Sequence, residues 1–265
     1  MERPHVFEQY INGQCPRAYQ FFGVHKATVD NKAGYVFRVY APLAKEVDLI
    51  GDFNSWDPAL GKMKKVDYRG LYELFVPDCQ EGQRYKFHIL DIDISRLHED
   101  NSKYTSKRDR NFDKPVSVYE FHMGSWKRKN DNSYYNYSEI ADLLIPYLKE
   151  MGYTHVEALP ITFYPNDASW GYQTLGYYAI DHRYGTPMDF ASFVEKMHKN
   201  NIGVIMDFVP VHFALDPFGL EKFDGSCVYE YANEHEFSEW GTKNFDLGKD
   251  PVRSFLISSL FFMAD

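Results

Sequence analysis

The sequence predicts a two-domain protein, in which an Ig-like antiparallel β-sandwich precedes an incomplete parallel α/β barrel. Residues 1–112 hold short runs of alternating hydrophobicity separated by Gly, Pro and Asp, a pattern typical of sandwich strands. Residues 113–265 instead alternate strands with amphipathic helices, and this order produces a parallel sheet with right-handed crossovers. Because a complete (β/α)8 barrel needs roughly 250 residues, only its first three strand–helix units are expected here.

The first domain is expected to be all-β throughout. Strands are predicted at residues 35–40, 46–50, 70–76 and 84–90, where short apolar runs lie between turn residues. The motif G-D-F-N-S-W-D at 51–57 follows the second of these runs. A polar and charged segment at 99–114 ends before Pro115 and is predicted to link the two domains.

The first strand–helix unit of the second domain is predicted to extend to Gly152. A strand is expected at 116–122, and Ser138 is expected to cap the helix that follows. Gly152 is placed to end that helix, and Pro146 inside it is expected to produce a kink. The helix is predicted from apolar residues at helical spacing, namely Ile140, Leu143, Leu144, Tyr147, Leu148 and Met151.

Two more helices are predicted after a second strand at 154–159. One opens at Thr186, with Pro187 at its first position and Asp189 in its first turn. Its predicted inner stripe consists of Phe190, Phe193, Val194 and Met197. The other begins at Asp250 after a long loop, and its predicted inward residues are Val252, Phe255, Leu256, Leu260 and Met263.

The segment 201–213, N-I-G-V-I-M-D-F-V-P-V-H-F, contains the third predicted strand and the first candidate site residues. Its apolar run is bounded by Gly203 and Pro210, which favours a strand buried on both faces. Asp207 interrupts this run, and a buried carboxylate is costly unless it is paired or used. Asp207 and His212 therefore belong either to chemistry at the carboxyl end of a barrel strand or to the anchoring of the following loop.

Composition and charge exclude several classes of function. The net charge of −9 argues against nucleic acid and anionic membranes as partners. The three cysteines, Cys15, Cys79 and Cys227, are scattered, which indicates a reducing compartment and no metal site. The N-terminus lacks an apolar leader and no 18-residue apolar run occurs, so we expect a soluble cytoplasmic protein without cofactor. The 17% aromatic content fits either sugar stacking or a large core.

Five segments resemble the 1,4-α-glucan (glycogen) branching enzymes of the α-amylase superfamily. They are V-Y-E-F-H-M-G-S-W (118–126), I-P-Y-L-K-E-M-G-Y-T-H-V-E-A-L-P (145–160), S-W-G-Y-Q (169–173), G-Y-Y-A-I-D-H-R-Y-G-T-P-M-D-F (176–190) and D-F-V-P-V-H-F (207–213). The motif at 51–57 is similar to the β-sandwich carbohydrate-binding module that precedes the barrel in these enzymes. The resemblance covers nearly the whole chain.

This resemblance implies cleavage of an α-1,4-glucan and transfer of the chain to a 6-hydroxyl by a retaining double displacement. The implied partners are glycogen and amylose-like chains. In the family, the nucleophile, the acid/base and a third Asp come from strands four, five and seven. No catalytic residue is therefore assigned to these 265 positions, and this polypeptide alone is expected to be inactive.

The resemblance does assign three substrate-binding residues. Tyr172 is similar to the aromatic platform beneath the sugar at the cleavage point. Asp207 is similar to an Asp that holds local geometry, and His212 to a His that hydrogen-bonds a sugar hydroxyl. The chain departs from the family pattern at Val211, where a Gly is usual.

Other candidate residues have a structural interpretation as well as a functional one. His122 and Glu157 lie near strand ends and are expected to support the site rather than form it. Trp56 either stacks on glucan or packs between the sheets, while Trp126 and Trp170 are expected to pack in loops. Two alternative functions stay open: a non-catalytic glucan-binding module with a vestigial barrel, and a related α-glucan hydrolase.

Overall fold

The computed structural model describes residues 3–89 and 115–264, which fall into two compact units. One unit combines the N-terminal residues up to 101 with residues 211–265, and the other spans residues 102–210. The predicted linker at 99–114 and the predicted boundary between residues 112 and 113 lie outside the described residues. That boundary stays a prediction.

The N-terminal residues form the predicted antiparallel sandwich. Its strands are β1 (Gly23–Val29), β2 (Lys32–Tyr40), β3 (Asp48–Gly51), β4 (Lys64–Asp67), β5 (Leu71–Pro77) and β6 (Tyr85–His88). One sheet has the order β1-β2-β5-β4, and β3 pairs with β6 in the other. Phe37 of β2 meets Tyr85 of β6 with ring centroids 5.0 Å apart, so the two sheets share a core. The four predicted strands are confirmed.

The expectation of an all-β first domain is wrong at its N-terminus, where helix α1 spans Arg3–Ile11. Its apolar residues Val6, Phe7 and Tyr10 are buried in a cluster with Ala18 and Leu71, among others. The helix forms because residues at i, i+1 and i+4 share one face, and that face packs on the sandwich.

The second unit contains a three-stranded parallel sheet. The strands β7 (Val118–Phe121), β8 (His155–Ala158) and β11 (Gly203–Met206) lie in the order β11-β8-β7. Between β8 and β11 the chain forms the antiparallel pair β9 (Thr162–Phe163) and β10 (Gly176–Ile180). The helices α2 (Tyr137–Met151) and α3 (Pro187–Lys199) pack together and on the sheet. The predicted alternation of strands and helices is confirmed.

Strand alternation divides this sheet into an apolar face and a polar face. Phe121, Val156 and Val204 pack in the core with α2 and α3. Their neighbours Glu120, Glu157 and Ile205, which are aligned in register, therefore face the opposite side. The expectation that the third strand is buried on both faces is wrong, since residues 204–206 are half-buried in an edge strand.

The predicted helix ends are confirmed with one correction. Asn136, not Ser138, caps α2: its side chain accepts a hydrogen bond from the Glu139 N–H at 2.7 Å, and the Glu139 carboxylate accepts one from the Asn136 N–H at 2.8 Å. This reciprocal pair satisfies two amide donors at the helix end, so it outcompetes a cap two residues later. Gly152 ends α2 with φ 78°, and Thr186 caps α3 as predicted.

Residues 211–264 pack against the N-terminal residues within the first unit. They form β12 (His212–Phe213), β13 (Lys243–Asn244) and α4 (Asp250–Ala264). The Ser254 hydroxyl donates to the Tyr10 carbonyl at 2.9 Å, and the Tyr19 N–H donates to the Ser258 hydroxyl at 3.0 Å. The inward orientation predicted for Leu260 is wrong, because small serines face the N-terminal segment and Leu260 is exposed.

No helix among the described residues is long and apolar enough to cross a membrane.

Replacing the observed cap of α2 is expected to destabilise the protein more than replacing the expected one. Asn136→Ala removes the acceptor for the Glu139 N–H and is expected to lower the free energy of unfolding by about 1 kcal/mol. Ser138→Ala, the matched control, is expected to change it by no more than about 0.5 kcal/mol. Urea unfolding followed by circular dichroism measures both. A larger loss for Ser138→Ala would contradict the assignment of the cap.

Candidate functional site

Tyr172 and Asp207 meet at the carboxyl end of the parallel sheet. The Tyr172 hydroxyl donates to Asp207 Oδ2 at 2.6 Å. Asp207 directly follows β11, and its N–H donates to the carbonyl of Ala158, the last residue of β8, at 3.1 Å. Tyr172 stays 40% exposed, so its ring is accessible while its hydroxyl is held.

Three carboxylates surround this tyrosine. Burial is the main cause that raises the pKa of Tyr172, followed by its hydrogen bond to Asp207 and the negative charges of Asp207, Glu120 and Glu157. All five causes act in the same direction, since each disfavours a phenolate. Tyr172 therefore remains a protonated donor at neutral pH, next to a region of negative potential.

The backbone of the loop that carries Tyr172 explains the motif S-W-G-Y-Q. Asn166 caps a short 3-10 turn that ends at Trp170, a residue in the left-handed region with φ 55°. Gly171 follows with φ 95°, and a Cβ at this position would lie 2.3 Å from the Pro160 carbonyl oxygen. Only glycine tolerates both the left-handed backbone and this close approach. The sequence at 170–171 thus turns the chain and directs Tyr172 to Asp207.

A buried ion pair braces the same loop from below. The Arg183 guanidinium binds the fully buried carboxylate of Asp181 and also pairs with Asp167 in the loop. It further donates to the Tyr164 carbonyl at 2.9 Å. The Tyr137 hydroxyl of α2 donates to the Asp181 carbonyl at 2.9 Å. Breaking such a buried pair is costly, so these contacts hold the loop in one arrangement.

His122 lies at the end of β7 in a chain of hydroxyl groups. Its Nδ1 is 2.9 Å from the Ser125 hydroxyl, and its Nε2 is 3.0 Å from the Tyr164 hydroxyl, which contacts the Tyr184 hydroxyl at 3.0 Å. Trp170 stacks on the imidazole with centroids 6.1 Å apart. Burial lowers the pKa of His122 and outweighs the opposing charge of Asp167. The ring therefore supports the loop rather than reaching Tyr172.

His212, the third predicted site residue, belongs to the other compact unit. It pairs with Asn244 in the β12–β13 ribbon, and burial lowers the pKa of its imidazole. Val211 is not among the described residues with positive φ, and its side chain is exposed. The valine thus occupies this position without backbone strain, although the family resemblance implies glycine there.

The structure brings two of the three predicted site residues together, Tyr172 and Asp207. The roles of all three in sugar binding stay predictions. Glu120 and the bracing pair Asp181–Arg183 were missed by the sequence analysis. Glu120 could have been found from its register with Glu157, whereas no sequence pattern connects Asp167 to Arg183. Among the described residues, no cluster of three or more His, Cys, Asp or Glu side chains could hold a metal ion.

The tryptophans divide by their partners. The Trp126 indole donates to the Tyr119 hydroxyl at 3.0 Å within the helix–sheet core, as expected of a packing residue. Trp56 lies half-exposed on its turn, where it donates to Asp52 at 3.1 Å and the Arg84 guanidinium lies over its ring. The interpretation that Trp56 packs between the sheets is therefore wrong, because the left-handed turn at Ser55 and Trp56 directs the ring outwards.

Comparison with family models identifies both parts of the chain. Residues 21–105 match carbohydrate-binding module 48, the isoamylase N-terminal domain. Residues 105–254, more than half of the chain, match the α-amylase catalytic domain. The chain therefore belongs to the α-amylase family, with a carbohydrate-binding module 48 before the first strands of a (β/α)8 barrel.

Within that family the chain is similar to 1,4-alpha-glucan branching enzymes. It is 42% identical to the enzyme of Geobacillus stearothermophilus over 98% of this chain and 46% of that protein. The Bacillus subtilis enzyme is 41% identical over 99% of this chain and 47% of that protein. The Fusobacterium nucleatum enzyme is 40% identical over 96% of this chain and 46% of that protein. The chain thus spans about half the length of the curated relatives that it matches.

Solved structures support the fold alone, because their sequences are distant. A pullulanase from Bacillus acidopullulyticus matches with a TM-score of 0.72 at 19% identity, over 92% of this chain and 36% of that one. The catalytic module of the pneumococcal virulence factor SpuA matches with a TM-score of 0.71 at 16% identity, over 92% of this chain and 44% of that one. The predicted sandwich followed by part of a barrel is confirmed.

Gly171→Ala is expected to cost more stability than Gly152→Ala. Both glycines have positive φ, but a Cβ at Gly152 meets nothing within 4 Å, whereas one at Gly171 meets the Pro160 backbone. We expect a loss of about 1 kcal/mol for Gly152→Ala and about 2 to 4 kcal/mol for Gly171→Ala, measured by urea unfolding. Equal losses would contradict the close approach at Pro160.

The stability of the folded chain is expected to fall on mild acidification, in part through His122. Because the folded-state pKa of His122 is lowered, the unfolded chain binds this proton at a higher pH. The free energy of unfolding therefore decreases as the pH falls below about 6.5. His122→Gln is expected to reduce the decrease between about pH 7 and about pH 5.5. An unchanged decrease in the variant would assign the effect to other histidines, such as His25 and His212, whose pKa values are also lowered by burial.

Proposed function

We propose that these residues supply part of the substrate-binding site of a glycogen branching enzyme. Such an enzyme cleaves an α-1,4-glucan and transfers the released chain to a 6-hydroxyl of another glucan. Branching enzymes at about 40% identity over nearly the whole chain support this proposal. The single structural observation that carries it is the Tyr172–Asp207 hydrogen bond at the carboxyl end of three parallel strands, where (β/α)8 enzymes place their chemistry.

Each proposed residue has a separate role in binding. Tyr172 presents a ring face on which a pyranose can stack, and Asp207 fixes that ring through its hydroxyl. His212, whose pKa is lowered by burial, is neutral at pH 7 and can donate or accept a hydrogen bond with a sugar hydroxyl. The carboxylates of Glu120, Glu157 and Asp207 create a negative potential near Tyr172, which favours the positive charge that develops on the sugar in the transition state.

The chemical step requires two further carboxyl groups. A retaining displacement needs a nucleophile and an acid/base about 5 Å apart. We propose that barrel strands beyond the three described here supply both, so the 265-residue chain binds glucan without branching it.

Removing the ring of Tyr172 is expected to weaken glucan binding. Tyr172→Ala is expected to raise the Kd for maltoheptaose about tenfold, measured by isothermal titration calorimetry. Tyr172→Phe keeps the ring but loses the hydrogen bond to Asp207, so a smaller increase is expected. Tyr68→Ala is the matched control, because Tyr68 is 85% exposed on a turn of the sandwich. Equal affinities of Tyr172→Ala and the unchanged chain would contradict the assigned site.

The reaction type is tested on the product of the whole reading frame that contains these residues. Amylose incubated with this product is expected to gain α-1,6 linkages, visible as new anomeric proton signals in the NMR spectrum. A gain of reducing ends without such linkages would instead favour the α-glucan hydrolase. Neither change, together with retained glucan binding, would favour a module that binds without catalysis.

The binding module is the second candidate, and one observation favours it. Trp56 is half-exposed beside Arg84 in the region that matches carbohydrate-binding module 48. Its contribution is best tested by Trp56→Ala in the whole chain. Deleting residues 115–265 would also remove α4, on which Tyr10 and Tyr19 depend for hydrogen bonds. Glucan affinity that depends on Trp56 and not on Tyr172 would favour the module.

A further inference from the structure

The most exposed tryptophan of the described chain lies at the tip of a hairpin in the first unit. Trp240 is 69% exposed, and Phe237 on the same hairpin is 51% exposed. Within residues 3–89 and 115–264, the Trp240 indole makes no hydrogen bond or ring contact. Trp56, Trp126 and Trp170 each have such a partner. Trp240 thus presents a large apolar surface that the described residues leave exposed.

The sequence E-W-G builds this hairpin tip. The Ser238 N–H donates to the Thr242 carbonyl at 2.8 Å, and the Gly241 N–H donates to the Ser238 carbonyl at 3.1 Å. Gly241 has φ 73°. A three-residue loop with a turn followed by a left-handed residue is a common hairpin connection. The backbone, not the indole, therefore holds the tip in place.

A buried lysine fixes the base of the hairpin. Lys243 is almost fully buried and pairs with Glu236 and Glu221, while its ammonium group lies 4.0 Å from the centre of the Phe237 ring. The hydroxyl groups of Ser238 and Thr242 are 2.5 Å apart. These contacts restrict the motion of the hairpin, so the Trp240 ring is presented on a rigid support.

The hairpin continues into the strand that holds His212. Lys243 and Asn244 form β13, which pairs with Phe213 and His212 of β12. Trp240 lies four residues before Asn244, so the two are no more than about 13 Å apart along the chain. Asn244 is the register partner of His212, and a chain of several pyranose units is long enough to cover this span, so one glucan can reach both Trp240 and the strand that holds His212.

Charge near the tip disfavours an anionic ligand. Glu234, Glu236 and Glu239 lie on or beside the hairpin, and Lys243 is buried beneath it. An anionic partner would be repelled here, as the net charge of −9 also implies. A neutral chain of pyranose rings can stack on an exposed indole without the free-energy cost of removing a charged group from water.

We propose that Trp240 is a stacking platform for an α-1,4-glucan, on the hairpin that continues into the ribbon holding His212. The inference rests on the proposed glucan function and adds a binding position to it. It predicts that recognition by this unit depends on chain length.

The platform is tested with the 265-residue chain labelled with 5-fluorotryptophan. Its four tryptophans give four fluorine resonances, which Trp→Phe variants assign. Titration with maltoheptaose is expected to shift the Trp240 resonance until binding saturates. Titration with the β-linked cellohexaose is expected to leave this resonance unshifted. Trp240→Ala is expected to raise the Kd for maltoheptaose about tenfold. Trp240→Phe should stay within about threefold, and the exposed control Tyr68→Ala within about twofold.

The outcomes separate this inference from the proposed function. Maltoheptaose binding with an unmoved Trp240 resonance and an unchanged Kd for Trp240→Ala would overturn the platform and leave the glucan function intact. Absence of any maltoheptaose binding would overturn both. A Trp240 resonance that shifts with protein concentration in the absence of sugar would assign the surface to a second copy of the chain and overturn the glucan assignment. Circular dichroism of Trp240→Ala verifies its fold.

Discussion

The parallel register of three strands determines most of what the second unit can do. Because β7, β8 and β11 are aligned, every second residue faces the helices and the others face away together. The apolar set secures α2 and α3, while Glu120 and Glu157 are forced onto the opposite face. Asp207 continues that face beyond β11. A shift of one residue in any strand would bury a carboxylate among the helices, so packing and site placement are specified by the same alignment.

Register alone does not place Tyr172, which comes from a loop. Its position depends on a left-handed pair at 170–171, on the turn capped by Asn166 and on the Asp181–Arg183 ion pair beneath. These contacts are polar and largely local, and they hold a ring that remains partly exposed. Rigid support for an accessible aromatic surface recurs at Trp240, where a tight hairpin and the buried Lys243 have the same effect in the other unit.

Residue patterns predicted the elements well wherever one periodicity dominated. The stripe of α3 and its Thr186 cap, the end of α2 at Gly152 and the alternating runs of the sandwich are confirmed. The errors arise where a local signal competes with a distant partner. Ser138 was predicted to cap α2, but the reciprocal pair of Asn136 and Glu139 forms the cap. Leu260 was predicted to face inward, but the serines of α4 face the N-terminal segment and Leu260 is exposed. The Tyr172–Asp207 bond joins residues 35 apart, and no sequence periodicity reports such a contact.

The contact between Tyr10 and Ser254 also constrains the order of folding. These residues are 244 positions apart, and closing so long a loop is entropically costly and slow compared with forming local contacts. During synthesis from the N-terminus, α1 and the segment around Tyr19 emerge long before α4 does. The apolar face of α1 can pack on the sandwich early, whereas the hydrogen bonds of Tyr10 and Tyr19 to α4 form only after residues 115–210 have been made. Because α4 completes the hydrogen bonding of the N-terminal segment, the N-terminal unit reaches its final form only after residues 250–264 have been synthesised.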